Sequence, residues 1–102
     1  MSATLRELDD WALVQRCQTG DEDAFSVLVD RHTHRAFWAS YRILGNREDA
    51  IDVAQEAFIK VYISIDRFRP GANFTTWLHR ITVNLTIDHL RIHHQVRRKP
   101  HY

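Results

Sequence analysis

The sequence predicts an all-α fold, a compact bundle of about four helices. Three observations lead there. Apolar residues recur at spacings of three and four in the long segments, and no stretch alternates convincingly with period two. Asp or Asn, the residues that cap helix N-termini, stands ahead of each segment, and Gly20 and Gly45 close the first two. The chain has 102 residues, 44% apolar and 26% charged, which is one globular domain's worth. Three Trp and five Phe give it bulk for a modest core.

Residues 1–8 read as a flexible lead-in, and the domain proper spans 9–96. Asp9 or Asp10 caps a first helix from Trp11 to Thr19, with Gly20 as its closing residue. Asp21 opens a second, longer helix to about Leu44, whose apolar stripe is Phe25, Leu28, His32, Ala36, Ala39 and Ile43. Gly45-Asn46 breaks it. Asn46 caps a third helix that runs to about Ile65, with Asp49 placed to meet the positive end of the dipole. Asp66 to Asn73 is a loop marked by Pro70-Gly71, and Asn73 caps a fourth helix from Phe74 to about His94. Order is expected to fade in a basic tail over 97–102, the start of a linker.

No apolar run is long enough to span a bilayer, and the N-terminus lacks the apolar core of a signal peptide. The single Cys17 excludes an internal disulfide or a cysteine-based zinc site and reads as a small core residue. A cytoplasmic domain without membrane insertion is expected. The histidine pairs His32-x-His34 and His93-His94 do not share a helix face, so they suit chelation poorly and read as solvated or half-buried. No nucleophile triad, phosphate loop or carboxylate pair is evident. Neither an enzyme nor a cofactor is expected.

The net charge of +1 conceals a division. Residues 1–66 hold seven Lys and Arg against twelve Asp and Glu, whereas residues 67–102 hold seven against Asp88 alone. Five of the seven histidines also fall in the second part. A basic third on an acidic body suits a nucleic-acid surface. A solvated charged tail fits the composition as well.

The third helix carries two lines. Ile51, Ala54, Phe58, Val61 or Tyr62, and Ile65 should pack inward. About 100° away run Asp52, Gln55, Glu56, Ile59 and Ile63, a mixed acidic and apolar stripe. Such a face suits docking to a basic, partly apolar partner, although plain solvation would tolerate it. The loop and the helix after it interleave Arg67, Phe68, Arg69, Asn73, Phe74, Trp77, His79, Arg80 and Asn84. Cations track phosphates, rings stack on unpaired bases and amides read base edges. Phe74 and Trp77 read better as core anchors; Phe68, Arg69 and Asn84 read better as nucleic-acid contacts.

With these residues assembled, the chain resembles a bacterial sigma factor of the extracytoplasmic-function (ECF) family, in its promoter-melting second domain, over about residues 9–98. Three blocks carry the resemblance. The first is Gly20-Asp21 with Ala24-Phe25 and Leu28. The second is Asp49-Ala50-Ile51-Asp52-Val53-Ala54-Gln55-Glu56 and its continuation to Tyr62. The third runs from Phe68-Arg69-Pro70-Gly71-Ala72-Asn73 through Trp77 and Arg80 to Asn84, with Asp88 and Arg91 beyond. His32 stands where the family often has Tyr, and Trp38 falls in a variable stretch.

The resemblance implies a role for each block. Asp52, Gln55, Glu56, Ile59 and Lys60 match the helix that docks on the β′ clamp helices of core RNA polymerase. Phe68 to Asn73 match the loop that captures a base flipped from the single-stranded non-template −10 promoter element, and Arg80 and Asn84 face the same strand. Directing transcription initiation follows, with an anti-sigma factor as a further expected partner. Such factors continue into a second helical domain that reads the −35 element, so this chain is expected to be a piece able to perform half of promoter recognition. A helical interaction module without sequence-specific DNA binding is the alternative.

Overall fold

A computed structural model describes the backbone of residues 4–98 and the side-chain surroundings of residues 4–92. Four helices follow in order: α1 (Asp10–Gln18), α2 (Glu22–Leu44), α3 (Arg47–Ser64) and α4 (Phe74–Arg98). Short 3-10 turns precede α1 (Leu5–Glu7) and follow α3 (Ile65–Arg67). No strand occurs among the described residues. The all-α expectation holds.

Local chemistry fixes each helix start. The side chains of Asp9, Asp21, Asn46 and Asn73 accept hydrogen bonds from the amides of Ala12, Ala24, Asp49 and Thr76, at 2.8, 3.2, 3.0 and 3.0 Å. Each such cap contributes about 0.5–2 kcal/mol. Asp9, not Asp10, is the first of them. At the end of α2, Gly45 adopts φ 66° and its amide donates to the Tyr41 carbonyl, a left-handed closure that side chains with a Cβ resist.

Packing centres on α2, which touches α1, α3 and α4, while α3 also packs on α4. The buried line of α2 is Leu28, His32, Ala36 and Ser40, with Leu44 packed against the core. Ile43, expected inside, is exposed, because the next inward positions belong to Ser40 and Leu44. In α3 the alanines 50, 54 and 57 join Val53, Phe58 and Val61 inside, so Ile51 and Tyr62 stand outside. Small residues face the neighbours, so the helix axes approach closely and the larger apolar side chains one position away are left at the rim.

The lead-in also differs from expectation. Leu5 and Leu8 pack against the core, and Arg6 pairs with Asp30 at 2.9 Å, so this segment is tied to the core and to α2. α4 extends to Arg98, four residues past its expected end near His94. Residues 99–102 of the expected basic tail and residues 1–3 of the lead-in lie outside the described residues.

Candidate nucleic-acid interface and docking face

Two surfaces are built from the residues singled out in sequence. On α3, Asp52, Gln55, Glu56, Ile59, Lys60 and Ile63 are all exposed, and Ile63 is 75% exposed. Their spacing of three and four makes one continuous strip along the helix. None of these side chains is engaged in a hydrogen bond or ion pair among the described residues, so the face is chemically unspent. Gln55 and Ile59 also form the edge of an apolar groove of about 760 Å³ between α2 and α3. Val29, Phe37, Trp38, Ile51 and Phe58 line it, with His34 and Arg47 at its polar rim. Trp38 is 49% exposed and packs edge-on to Phe37 and Tyr41. The groove was not legible locally, because it needs the exposed sides of two helices side by side.

The second surface follows α3. The 3-10 turn ends at Phe68, then Arg69, Pro70, Gly71 and Ala72 form a tight turn closed by the Ala72 amide donating to the Arg69 carbonyl at 3.2 Å. Gly71 has φ 84°, and Pro-Gly at the centre with a positive φ at the glycine is the type II arrangement. Asn73 then caps α4, and its amide nitrogen makes no hydrogen bond among the described residues. Arg69, Asn73, Arg80 and Asn84 are exposed, and the last two sit one turn apart on the same face of α4. His79 and Arg67 are exposed as well.

Phe68 requires a correction. Its ring is 6% exposed and lies 5.0 Å from Trp77, 5.9 Å from Phe74 and 6.1 Å from Trp11. A ring boxed by three aromatics has no face left for a base, so Phe68 is an anchor of the loop and not a stacking platform. Phe74 and Trp77 are core anchors as expected.

The loop and the first turn of α4 are also fastened by polar contacts from α1 and α2, which sequence reading missed. The Gln18 amide nitrogen donates to the carbonyls of Ile65 and Phe68 at 2.9 and 3.1 Å. Arg35 Nη1 donates to Thr75 Oγ1 at 3.0 Å and lies 3.4 Å from His32 Nδ1. A guanidinium only donates, so His32 Nδ1 accepts and its Nε2–H donates to Asp10 Oδ1 at 3.0 Å. His32 is therefore buried and fully partnered, where a solvated or half-buried ring was expected. No cluster of metal-ligating side chains occurs among the described residues, and the surroundings of His93 and His94 lie outside them. Burial, reinforced by the Asp21 carboxylate, pushes the Cys17 thiol up to about 11, so it stays protonated and unreactive near neutrality.

Comparison with known proteins places this arrangement. Residues 28–95 match the family model described as Sigma-70 region 2. The chain is 44% identical over 89 residues to the ECF RNA polymerase sigma factor SigW of Bacillus subtilis, covering 87% of this chain and 45% of that protein. It is 45% identical over 94 residues to the ECF RNA polymerase sigma-E factor of Haemophilus influenzae, covering 92% of this chain and 48% of that one. It also superimposes on an engineered region 2 of sigmaE, solved by NMR in complex with GTAAAA. That match has a TM-score of 0.83 and 39% identity, and covers 98% of this chain and 100% of that one. The chain belongs to the sigma-70 region 2 family, among the ECF sigma factors. It spans a little under half the length of the curated relatives it matches.

Proposed function

We propose that this chain is the part of an ECF sigma factor that docks on core RNA polymerase through α3 and holds the single-stranded non-template −10 element on the 69–84 surface. The observation that carries this reading is the likeness, over nearly the whole chain, to a region 2 that was solved bound to GTAAAA. The exposed basic and amide groups at Arg69, Asn73, Arg80 and Asn84 support the same assignment. Arg69 and Arg80 neutralise phosphates, which sets affinity but not sequence. Asn73 and Asn84 offer amides to the edges of bases outside the stack. Phe68 serves from within, by holding the loop on the bundle.

On α3, Asp52, Gln55, Glu56, Ile59 and Lys60 form the contact with the β′ clamp helices. An exposed strip with acidic, amide and apolar groups suits a partner that is basic and partly apolar. An anti-sigma factor covering the same strip, or the 68–84 region, would switch the factor off by occlusion. These events take place in the bacterial cytoplasm, and no helix among the described residues is long and apolar enough to cross a membrane. The reading calls for no cofactor and no enzymatic step.

The test is a fluorescence titration of the domain with GTAAAA as a single strand, as a duplex, and with single-base substitutions. The single strand should bind more tightly than the duplex, because opening paired bases costs a few kcal/mol that the domain must supply alone. Equal affinity for all of these oligonucleotides would replace this reading with that of an interaction module lacking sequence-specific binding.

A further inference from the structure

The capture loop leaves the bundle at a defined point, and α1 holds that point. Both N–H bonds of the Gln18 side-chain amide are spent on main-chain carbonyls 47 and 50 residues away, those of Ile65 and Phe68. The two acceptors differ in what else they have. The Ile65 carbonyl also accepts from the Phe68 amide at 3.1 Å, so it keeps a partner without Gln18. The Phe68 carbonyl has no other donor among the described residues. It belongs to the peptide unit that joins Phe68 to Arg69, so the hydrogen bond from Gln18 sets the rotation of that peptide plane. Everything beyond is already specified: Pro70 and Gly71 fix the turn, and Asn73 fixes the start of α4. The Phe68–Arg69 peptide is the remaining hinge.

From this geometry we infer that Gln18 is a positioning residue for strand capture: its bond to the Phe68 carbonyl locks the peptide that aims Arg69 and the 69–72 turn at the strand. The inference rests on the strand-capture reading above and adds a residue that touches no nucleic acid. Without the side-chain donor, a half-buried carbonyl loses its partner and the peptide gains a reason to rotate outward toward water. The loop then samples several orientations, and apparent affinity falls with the fraction that remains competent.

Gln18→Met is the informative change, since it keeps length and neutrality and removes the amide whose N–H groups make both hydrogen bonds. With the binding-competent fraction reduced to roughly one-tenth, affinity for single-stranded GTAAAA should fall about tenfold. Affinity for a β′ clamp-helix fragment and the helical circular-dichroism signal should stay at wild-type values. Two further measurements keep the test independent of any global loss of stability. Amide exchange at Phe68 and Ala72, whose N–H groups donate to the Ile65 and Arg69 carbonyls, should accelerate while that of α3 does not. In a double-mutant cycle, Arg69→Ala should cost much less in the Gln18→Met background than in the wild type, because an arginine that is no longer aimed has less to lose. Unchanged GTAAAA affinity for Gln18→Met, loop exchange that rises only together with that of the whole bundle, or strictly additive effects of Gln18→Met and Arg69→Ala would each overturn the inference. If the wild type itself shows no preference for the single strand, the strand-capture reading fails first. The exchange measurement would still report whether Gln18 locks the loop.

Discussion

The α3 strip and the 69–73 loop are both exposed, yet they are made in opposite ways. The strip is a by-product of helix geometry: Asp52, Gln55, Glu56 and Ile59 point outward because Val53, Ala57, Phe58 and Val61 point inward. None of its side chains is needed to hold the fold. The loop has no regular hydrogen-bond ladder of its own beyond one turn. Its shape comes from Gln18 on α1, from the Arg35–Thr75 bond between α2 and α4, and from the aromatic box around Phe68. Binding to the strip should therefore respond only to residues on it, whereas binding to the loop should respond to residues remote from any ligand.

The largest effect should come from removing the anchor that the loop shares with the core. Phe68→Ala deletes a buried ring and should destabilise the fold by about 3–5 kcal/mol, read from urea unfolding. Oligonucleotide binding should fall with it. A cost near zero would mean that the ring is not the anchor the aromatic box indicates, and the contrast between the two regions would collapse.

Reversing a charge on the strip probes the other half of the contrast. Glu56→Arg should weaken capture of a β′ clamp-helix fragment by about 1.5–3 kcal/mol, the value of a charge-assisted contact, in a pull-down or titration. Its unfolding midpoint should match the wild type, since an exposed helical position away from caps and cores shifts stability by less than about 0.5 kcal/mol. Wild-type affinity for the fragment would remove α3 as the docking face.

How far the sequence carried this picture follows from the range of each interaction. The helix starts were legible because Asp9, Asp21, Asn46 and Asn73 act within three residues of themselves. The α3 strip was legible because a single helix period separates it from the core. Ile43 and Ile51 were misplaced for a related reason. Hydropathy ranks isoleucine above Ser40 and Ala50, but the close approach of helices favours the smaller side chains, and that preference belongs to the pair of helices. Phe68 looked like a stacking ring because the aromatic box that buries it is completed by Trp11, far away in the sequence. Gln18 and the α2–α3 groove gave no local signal at all. Neither exists until separate elements meet.

Within the loop-side surface, reading and anchoring of the strand should separate. Asn84→Ala should relax preference at one oligonucleotide position by roughly 1–3 kcal/mol, if its amide makes a bidentate contact with a base edge. A panel of single-base substitutions measures this directly. An equal loss for every oligonucleotide would make Asn84 a backbone contact.

The smallest change in free energy, and the sharpest test of what the arginines do, is in the salt dependence. Each phosphate neutralised on a single strand contributes about 0.7 to the slope of log affinity against log salt, through release of counterions. Arg80→Gln should reduce that slope by about 0.7 for every oligonucleotide alike, because Arg80 projects from a finished helix and needs no other element to place it. Arg69→Gln should reduce it by a similar amount. Arg69 differs in one respect: it stands on the loop, so its contribution depends on the loop being locked. Titrations at several salt concentrations in the presence of low urea, chosen to loosen the loop while the helices stay intact, should therefore erode the Arg69 contribution before that of Arg80. If both arginines lose their contributions together, the loop is no softer than the helix it precedes, and the difference between the two regions lies in their chemistry alone.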